Sequence, residues 1–369
     1  MSRTARAVLC RELNRPVSVE SIEVDPPGRG EVTVRVAACG VCHSDYSATN
    51  GTIKVTPPVI LGHEGAGIVV EVGEGVAHLA VGDHVLSFVC SMCGHCRYCL
   101  AGRPTLCLQS LKAGAALPDG SVRTRDARGT PLGVMAGCGV MSEYATLHVD
   151  NVIKIDPDVP PGPAALMSCA VVTGVGAVLT RARMEPGSVG VVFGIGGVGL
   201  NAVQGCVIAG ARMIVAVDTS DEKLRIAREF GATHTVNAQR ETHLIRAVRE
   251  LTGGGADYSF ECIGSGETAA QAYGVLARGG TAVVVGIAQP SQTTSIRTMT
   301  LPFEEKTLTG CYMGSARPEE DFPRLIRLHR AGQLKLEELI TRTYGVEDAP
   351  QAFEDLVAGR NIRGLIHFP

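Results

Sequence analysis

The sequence predicts an α/β protein of two domains, a β-rich one and a doubly wound parallel sheet. Three observations predict it. The chain has 369 residues, which suits two domains at about 150 residues each. Residues 1 to about 155 read as strands and turns, with Pro-Pro pairs at 26–27 and 57–58 as turn signals. After Pro160, short Val/Ile runs alternate with Ala/Arg/Glu-rich segments, the order of strand and helix that builds a parallel sheet.

The elements follow in order. Residues 31–37 alternate polar and apolar, the period-2 pattern of a half-buried strand, and 65–73 and 81–89 are further β-rich runs. Residues 189–193, 213–217, 258–262 and 281–286 read as buried strands. Between and after them, 221–230, 243–251, 322–330 and 348–356 read as amphipathic helices, and 364–368 as a last strand. Two uncharged runs, 159–180 and 186–211, are long enough to raise a membrane span, but their Pro and Gly spacing fits a buried strand, tight turn and helix.

Composition excludes several functions. Thirty-four Lys and Arg against 37 Asp and Glu leave a net charge of −3, with no cationic surplus for a nucleic-acid backbone. Apolar residues at 45% support a core, which argues against disorder. Residues 1–10 lack an apolar leader segment, so a cytoplasmic, reducing compartment is expected. There, clustered members of the 13 cysteines point to metal or catalysis.

Gly194, Gly196 and Gly199 form G-x-G-x-x-G between a predicted strand and a predicted helix. The first glycine allows the tight turn, the second lets backbone approach a pyrophosphate, and the third lets helix pack on strand. Asp218 ends the next strand, 19 residues after Gly199, where an acid binds both ribose hydroxyls and repels a 2′-phosphate. NAD is therefore expected over NADP. Lys223 is either a further ribose contact or a solvated helix-face lysine.

Cys93, Cys96, Cys99 and Cys107 form C-x2-C-x2-C-x7-C, a set suited to closed, structural, tetrahedral zinc. A disulfide pair or an iron–sulfur cluster is the competing reading, and Cys90 is taken as a buried spare. Three more segments offer scattered ligands: Cys42, His63 with Glu64, and Cys169. Two thiolates and one imidazole with an open position are the zinc pattern of alcohol dehydrogenation.

Together these segments resemble the zinc-containing, medium-chain alcohol dehydrogenase family. The resemblance covers essentially the whole chain and is carried by GVCHSD at 40–45, PVILGHEGAGIV at 58–69, the four-cysteine lobe, GIGGVG at 194–199, EFGATH at 229–234 and NIRG at 361–364. It implies a discontinuous GroES-like catalytic domain, 1–171 with 313–369, around a Rossmann NAD-binding domain, 172–312. It implies two zinc per subunit, the catalytic one on Cys42, His63 and Cys169 with Glu64 close behind. Asp45 would orient His63, and Ser44 would relay the alcohol proton. Thr173, Gly197 and Val198 would border the cofactor with Ile287, and His43 and Arg363 would lie near its pyrophosphate. Where relatives extend the relay with His or Tyr, this chain has Ser47.

Ile53, Val89 and Leu111 would line the substrate pocket. Val89 stands where many members place an aromatic ring, so the pocket is expected to take medium-chain or aromatic primary alcohols and their aldehydes, small-molecule partners. A thiol-dependent formaldehyde dehydrogenase acting on an S-hydroxymethyl adduct is the alternative enzyme. The glutathione branch, however, has an acid and an arginine where this chain has Ile53 and Leu111. A non-enzymatic, cofactor-binding structural protein is the third reading. The resemblance further implies a homo-oligomer, dimer or tetramer.

Overall fold

The computed structural model describes residues 1–110, 116, 117 and 120–369. The chain forms two compact units. One comprises Met1–Cys169, Arg317–Arg330 and Leu336–Pro369; the other comprises Ala170–Ala316 and Ala331–Lys335.

The first unit is built on two sheets. The smaller runs Thr124–Asp126, Ser18–Val24, Arg3–Cys10, Val59–Ile60, Gly133–Val134. The larger is organised on Glu31–Val41, which pairs antiparallel with Glu64–Val72, Tyr144–His148 and the returning strand Arg363–His367. Its register sets Gly40 opposite Glu64 and Val41 opposite Gly364. Three remote stretches of sequence thus converge at the end of one strand.

The second unit carries a six-stranded sheet in the order His234–Asn237, Met213–Asp218, Val189–Phe193, Ala256–Glu261, Leu276–Val284, Thr307–Gly310. Every neighbouring pair is parallel. Strand order reverses beside Val189–Phe193, and such a switch point is where open α/β sheets bind ligands. Val189, Val191, Phe193, Val215 and Val217 are buried in one cluster, as the continuous apolar runs of a parallel sheet require. The helix Asp221–Glu229 starts at Ser220, whose hydroxyl accepts the Lys223 N–H; Asp221 and Glu222 follow, and Arg228 lies in the last turn. Cap and charges all favour that helix in place.

Two expectations are corrected. The run 159–180 is not strand, turn and helix: Pro161–Ala182 is helical throughout, with π-helical stretches at Met167–Val171 and Ala177–Ala182. Its prolines fall in the first turn, where a missing N–H costs nothing. Among the described residues this helix alone is long and apolar enough to cross a membrane, but 94% of its apolar window is buried, so it belongs to the core. The run 81–89 yields only the strand His84–Ser87. Before it, Gly82 takes φ +94° and the Asp83 N–H bonds to the Ala80 carbonyl, which makes a turn of those residues.

Candidate active site and metal centres

The four-cysteine lobe closes on itself. The four Sγ atoms lie within 4.8 Å of one another. Cys96 Sγ is 3.6 Å from Cys99 Sγ and 4.0 Å from Cys107 Sγ. A zinc tetrahedron with Zn–S of about 2.3 Å has S···S edges of about 3.8 Å, whereas a disulfide needs about 2.05 Å. None of the thirteen cysteines is in a disulfide, which sets the disulfide reading aside. The Cys96 and Cys93 N–H groups donate to Cys93 Sγ and Cys107 Sγ at 3.3 and 3.4 Å. Backbone donors, first that of Cys99, pull the Cys96 thiol down to about 6, which favours the thiolate a metal takes. Cys90 is fully buried and outside this group.

The second cluster is deeper. Ligand atoms of Cys42, His63, Glu64 and Cys169 lie within 4.8 Å of one another, and all four residues are buried. Asp45 organises it. Its Oδ2 accepts the Cys42 N–H at 3.1 Å, and its Oδ1 accepts the Gly62 N–H at 2.9 Å. Oδ1 also lies 3.1 Å from His63 Nδ1. One carboxylate therefore fastens the first cysteine to the histidine loop and turns the imidazole so that Nε2 faces the cluster. Nε2 is buried and has no hydrogen-bond partner, and Glu64 Oε1 is in the same state. Buried polar atoms are rarely orphaned, and here two aim into a set of thiolate, imidazole and carboxylate donors. That arrangement fits zinc.

The electrostatics agree. A hydrogen bond from the Cys169 thiol holds Cys42 well below the usual thiol range, against burial and with help from His63. Burial opposes charge on His63, but Asp45 outweighs it and raises the imidazole. Burial pushes the Glu64 carboxyl up to about 7, while Arg363 pulls the other way.

Two parts of this frame carry no sequence signal. One is the ion pair of Arg363 with Glu64: Arg363, expected near a pyrophosphate, is buried and paired with Glu64 Oε2, 299 residues away in the chain. Gly40 makes room for this pair, because a Cβ there would lie 2.1 Å from Glu64 Oε2 and 3.2 Å from Arg363 Nη2. Ser87 is the other: its hydroxyl accepts the Gly65 N–H at 2.9 Å and donates to the His63 carbonyl at 3.0 Å. It fixes the backbone on either side of Glu64.

Of the remaining expected residues in this unit, His43 is exposed and Ser44 half-buried at the start of the helix His43–Thr49. Val89 is 9% exposed and Ile53 half-buried. Leu111 lies outside the described residues.

In the second unit the glycine loop follows Val189–Phe193 and opens the helix Gly197–Ile208, capped by Gly196. Gly194 takes φ +86°, and a Cβ at Gly199 would lie 1.8 Å from the Gly194 carbonyl. Those two glycines are demanded by the chain itself. Gly196 is different: its φ is −97°, and a Cβ there would meet nothing within 4 Å. Open space at that point admits a ligand to the backbone. Asp218 is half-buried and already oriented, with Oδ2 accepting the Ile195 N–H at 2.7 Å and Oδ1 accepting the Thr219 and Ser220 N–H groups at 2.8 and 2.9 Å. Lys223 and Val198 are half-buried, Ile287 is 53% exposed, and Thr173 is buried with its hydroxyl 3.8 Å from Met313 Sδ.

A chain that carries a β-rich unit with two ligand clusters and a parallel sheet with a dinucleotide loop has the parts of a metal-dependent dehydrogenase. Residues 28–157 match the alcohol dehydrogenase GroES-like domain and 197–331 match the zinc-binding dehydrogenase domain. The NDMA-dependent alcohol dehydrogenase of Amycolatopsis methanolica is 39% identical, over 98% of each chain. The S-(hydroxymethyl)glutathione dehydrogenase of Synechocystis is 37% identical, over 99% of this chain and 100% of its own. The crystal structure of benzyl alcohol dehydrogenase from Acinetobacter calcoaceticus superposes with a TM-score of 0.94 at 29% identity, covering 100% of both chains. The chain belongs to the zinc-containing alcohol dehydrogenase family and is an oxidoreductase acting on CH–OH groups; small alcohols and aldehydes are the family's substrates and NAD(P) its cofactor.

Proposed function

We propose that the protein is an NAD-dependent alcohol dehydrogenase working reversibly on medium-chain or aromatic primary alcohols and the matching aldehydes. The observation that carries the reaction is the orphaned His63 Nε2, buried among Cys42, Cys169 and Glu64 and held there by Asp45. Cys42, His63 and Cys169 would hold the catalytic zinc, and Cys93, Cys96, Cys99 and Cys107 the structural one. When bound, zinc supplies a Lewis acid that eases loss of the alcohol proton, and the dinucleotide supplies the hydride acceptor. Ser44, two residues after Cys42 and half-buried, would carry that proton outward. Asp218 would accept from the ribose hydroxyls and disfavour a 2′-phosphate.

Val89 supports the substrate class. A valine where relatives carry an aromatic ring leaves volume, and each further methylene buried contributes up to about 0.8 kcal/mol. The relation to a benzyl alcohol dehydrogenase points the same way. The relation to an S-(hydroxymethyl)glutathione dehydrogenase favours a second reading, oxidation of a thiol–formaldehyde adduct; Ile53 offers no charge to hold a glutathione.

The test is kcat/KM along a series from ethanol to octanol plus benzyl alcohol, with NAD and NADP in parallel, and formaldehyde with added thiols. The expected result is a rise of about tenfold or more along the series, with NAD preferred. A flat or falling series rejects the widened pocket, and preference for NADP rejects the role given to Asp218. Turnover of formaldehyde only with a thiol would establish the second reading.

A further inference from the structure

We propose that Glu261 is a positioning residue for the dinucleotide, acting through the turn that its side chain holds. The proposal rests on the reading that the glycine loop takes NAD(P).

Glu261 ends the strand Ala256–Glu261 and stands opposite Phe193, the residue before the loop. It is fully buried. Its hydrogen-bond partners are all neutral: Oε1 accepts the Ile263 N–H at 2.9 Å, the Gly264 N–H at 2.8 Å and the Thr268 hydroxyl at 2.8 Å. Oε2 is buried with no partner. A carboxyl group so placed opposes folding. A residue that costs stability in the core needs another reason to be there.

The turn supplies that reason. Oε1 pins two successive N–H groups, and Thr268 ties the same oxygen to the first turn of the helix Gly266–Gly274. Pinned in this way, Ile263 occupies the space beside the first glycine of the loop, since a Cβ on Gly194 would lie 2.4 Å from Ile263 Cγ1. Ile263 nevertheless remains 52% exposed. Gly264, at φ +92°, is packed so closely on Ile287 that a Cβ there would lie 2.5 Å from the Ile287 carbonyl. The Glu261 carbonyl accepts the Val285 and Gly286 N–H groups at 2.8 and 2.9 Å. One residue therefore ties together the ends of three neighbouring strands at the switch point. It presents half-exposed Ile263 beside the glycine loop and packs half-exposed Ile287 on Gly264. An apolar residue at 261 would leave the 263–264 N–H groups unpaired and free this wall to shift.

The experiment measures NADH binding by fluorescence titration and amide exchange of the ligand-free protein. Glu261→Ala should weaken NADH binding about tenfold, raise KM for NAD more than it lowers kcat, and speed exchange at Ile263 and Gly264. Glu261→Gln keeps an acceptor oxygen and should restore binding to within about threefold of wild type. Should the alanine variant not fold, Thr268→Val removes one donor from the same carboxylate and should weaken binding by about two- to threefold. Wild-type affinity and exchange in Glu261→Ala, or in Thr268→Val where that is the folded variant, would overturn the proposal. So would a glutamine variant that binds as poorly as alanine. A wild-type protein that binds neither NADH nor NADPH would instead remove the dinucleotide reading, and the proposal with it.

Discussion

The two ligand clusters differ in how they are assembled. The four-cysteine lobe draws its ligands from residues 93–107, and three of its cysteines are partly exposed. The other draws Cys42, His63, Glu64 and Cys169 from distant segments, and all are buried. The lobe has short helices at Arg97–Leu100 and Pro104–Leu106 and little core of its own, so metal there would substitute for packing. The deep cluster already has its frame in Asp45, Ser87, Gly40 and the Glu64–Arg363 pair. Metal there would not be needed to hold the fold and would be left to chemistry. On this reading a local cluster would bind metal to make structure, and a dispersed one would use structure to aim metal.

The sharpest way to break this comparison is in the lobe. Cys99→Ser should lower Tm by roughly 5–10 °C and open residues 93–107 to proteolysis, while folded molecules keep most of their activity per catalytic site. An unchanged Tm and protease resistance would make the lobe dispensable. A smaller effect is expected from Asp45→Asn. It keeps one acceptor oxygen, so the Cys42 and Gly62 N–H groups, which use different oxygens of Asp45, are no longer both satisfied and the hold on the imidazole weakens; kcat/KM or catalytic-zinc affinity should fall by about 10- to 100-fold. Kinetics with zinc titration reads this directly, and wild-type values would remove Asp45 from the site.

The same contrast decides what was legible in the sequence. Local patterns were readable: the strand at 189–193 falls where its apolar run does, and Ser220 with its flanking charges marks the helix Asp221–Glu229. The strand Leu276–Val284 begins earlier than the expected 281, because Arg278-Gly279-Gly280 reads as a break while the fold absorbs it with a register shift against its neighbour. In the site, the ligands stood out because cysteine and histidine in short motifs carry their own chemistry. The pairing of Arg363 with Glu64 is invisible in the sequence, because no spacing links it to a carboxylate 299 residues away. Ser87 and Glu261 gave no signal, since a serine in a strand and a glutamate at its end are ordinary until their partners are seen. Glu64 could have warned of a cation, as a buried acid beside two thiols needs one.

Zinc content of purified Cys42→Ser beside wild type tests most directly whether the chain holds two zinc ions with separate duties. The account predicts about two equivalents in wild type and about one in the variant. It also predicts kcat/KM reduced by about a hundredfold or more, with Tm within a few degrees of wild type. A wild type with one zinc, or a Cys42→Ser enzyme that keeps full activity, would contradict it.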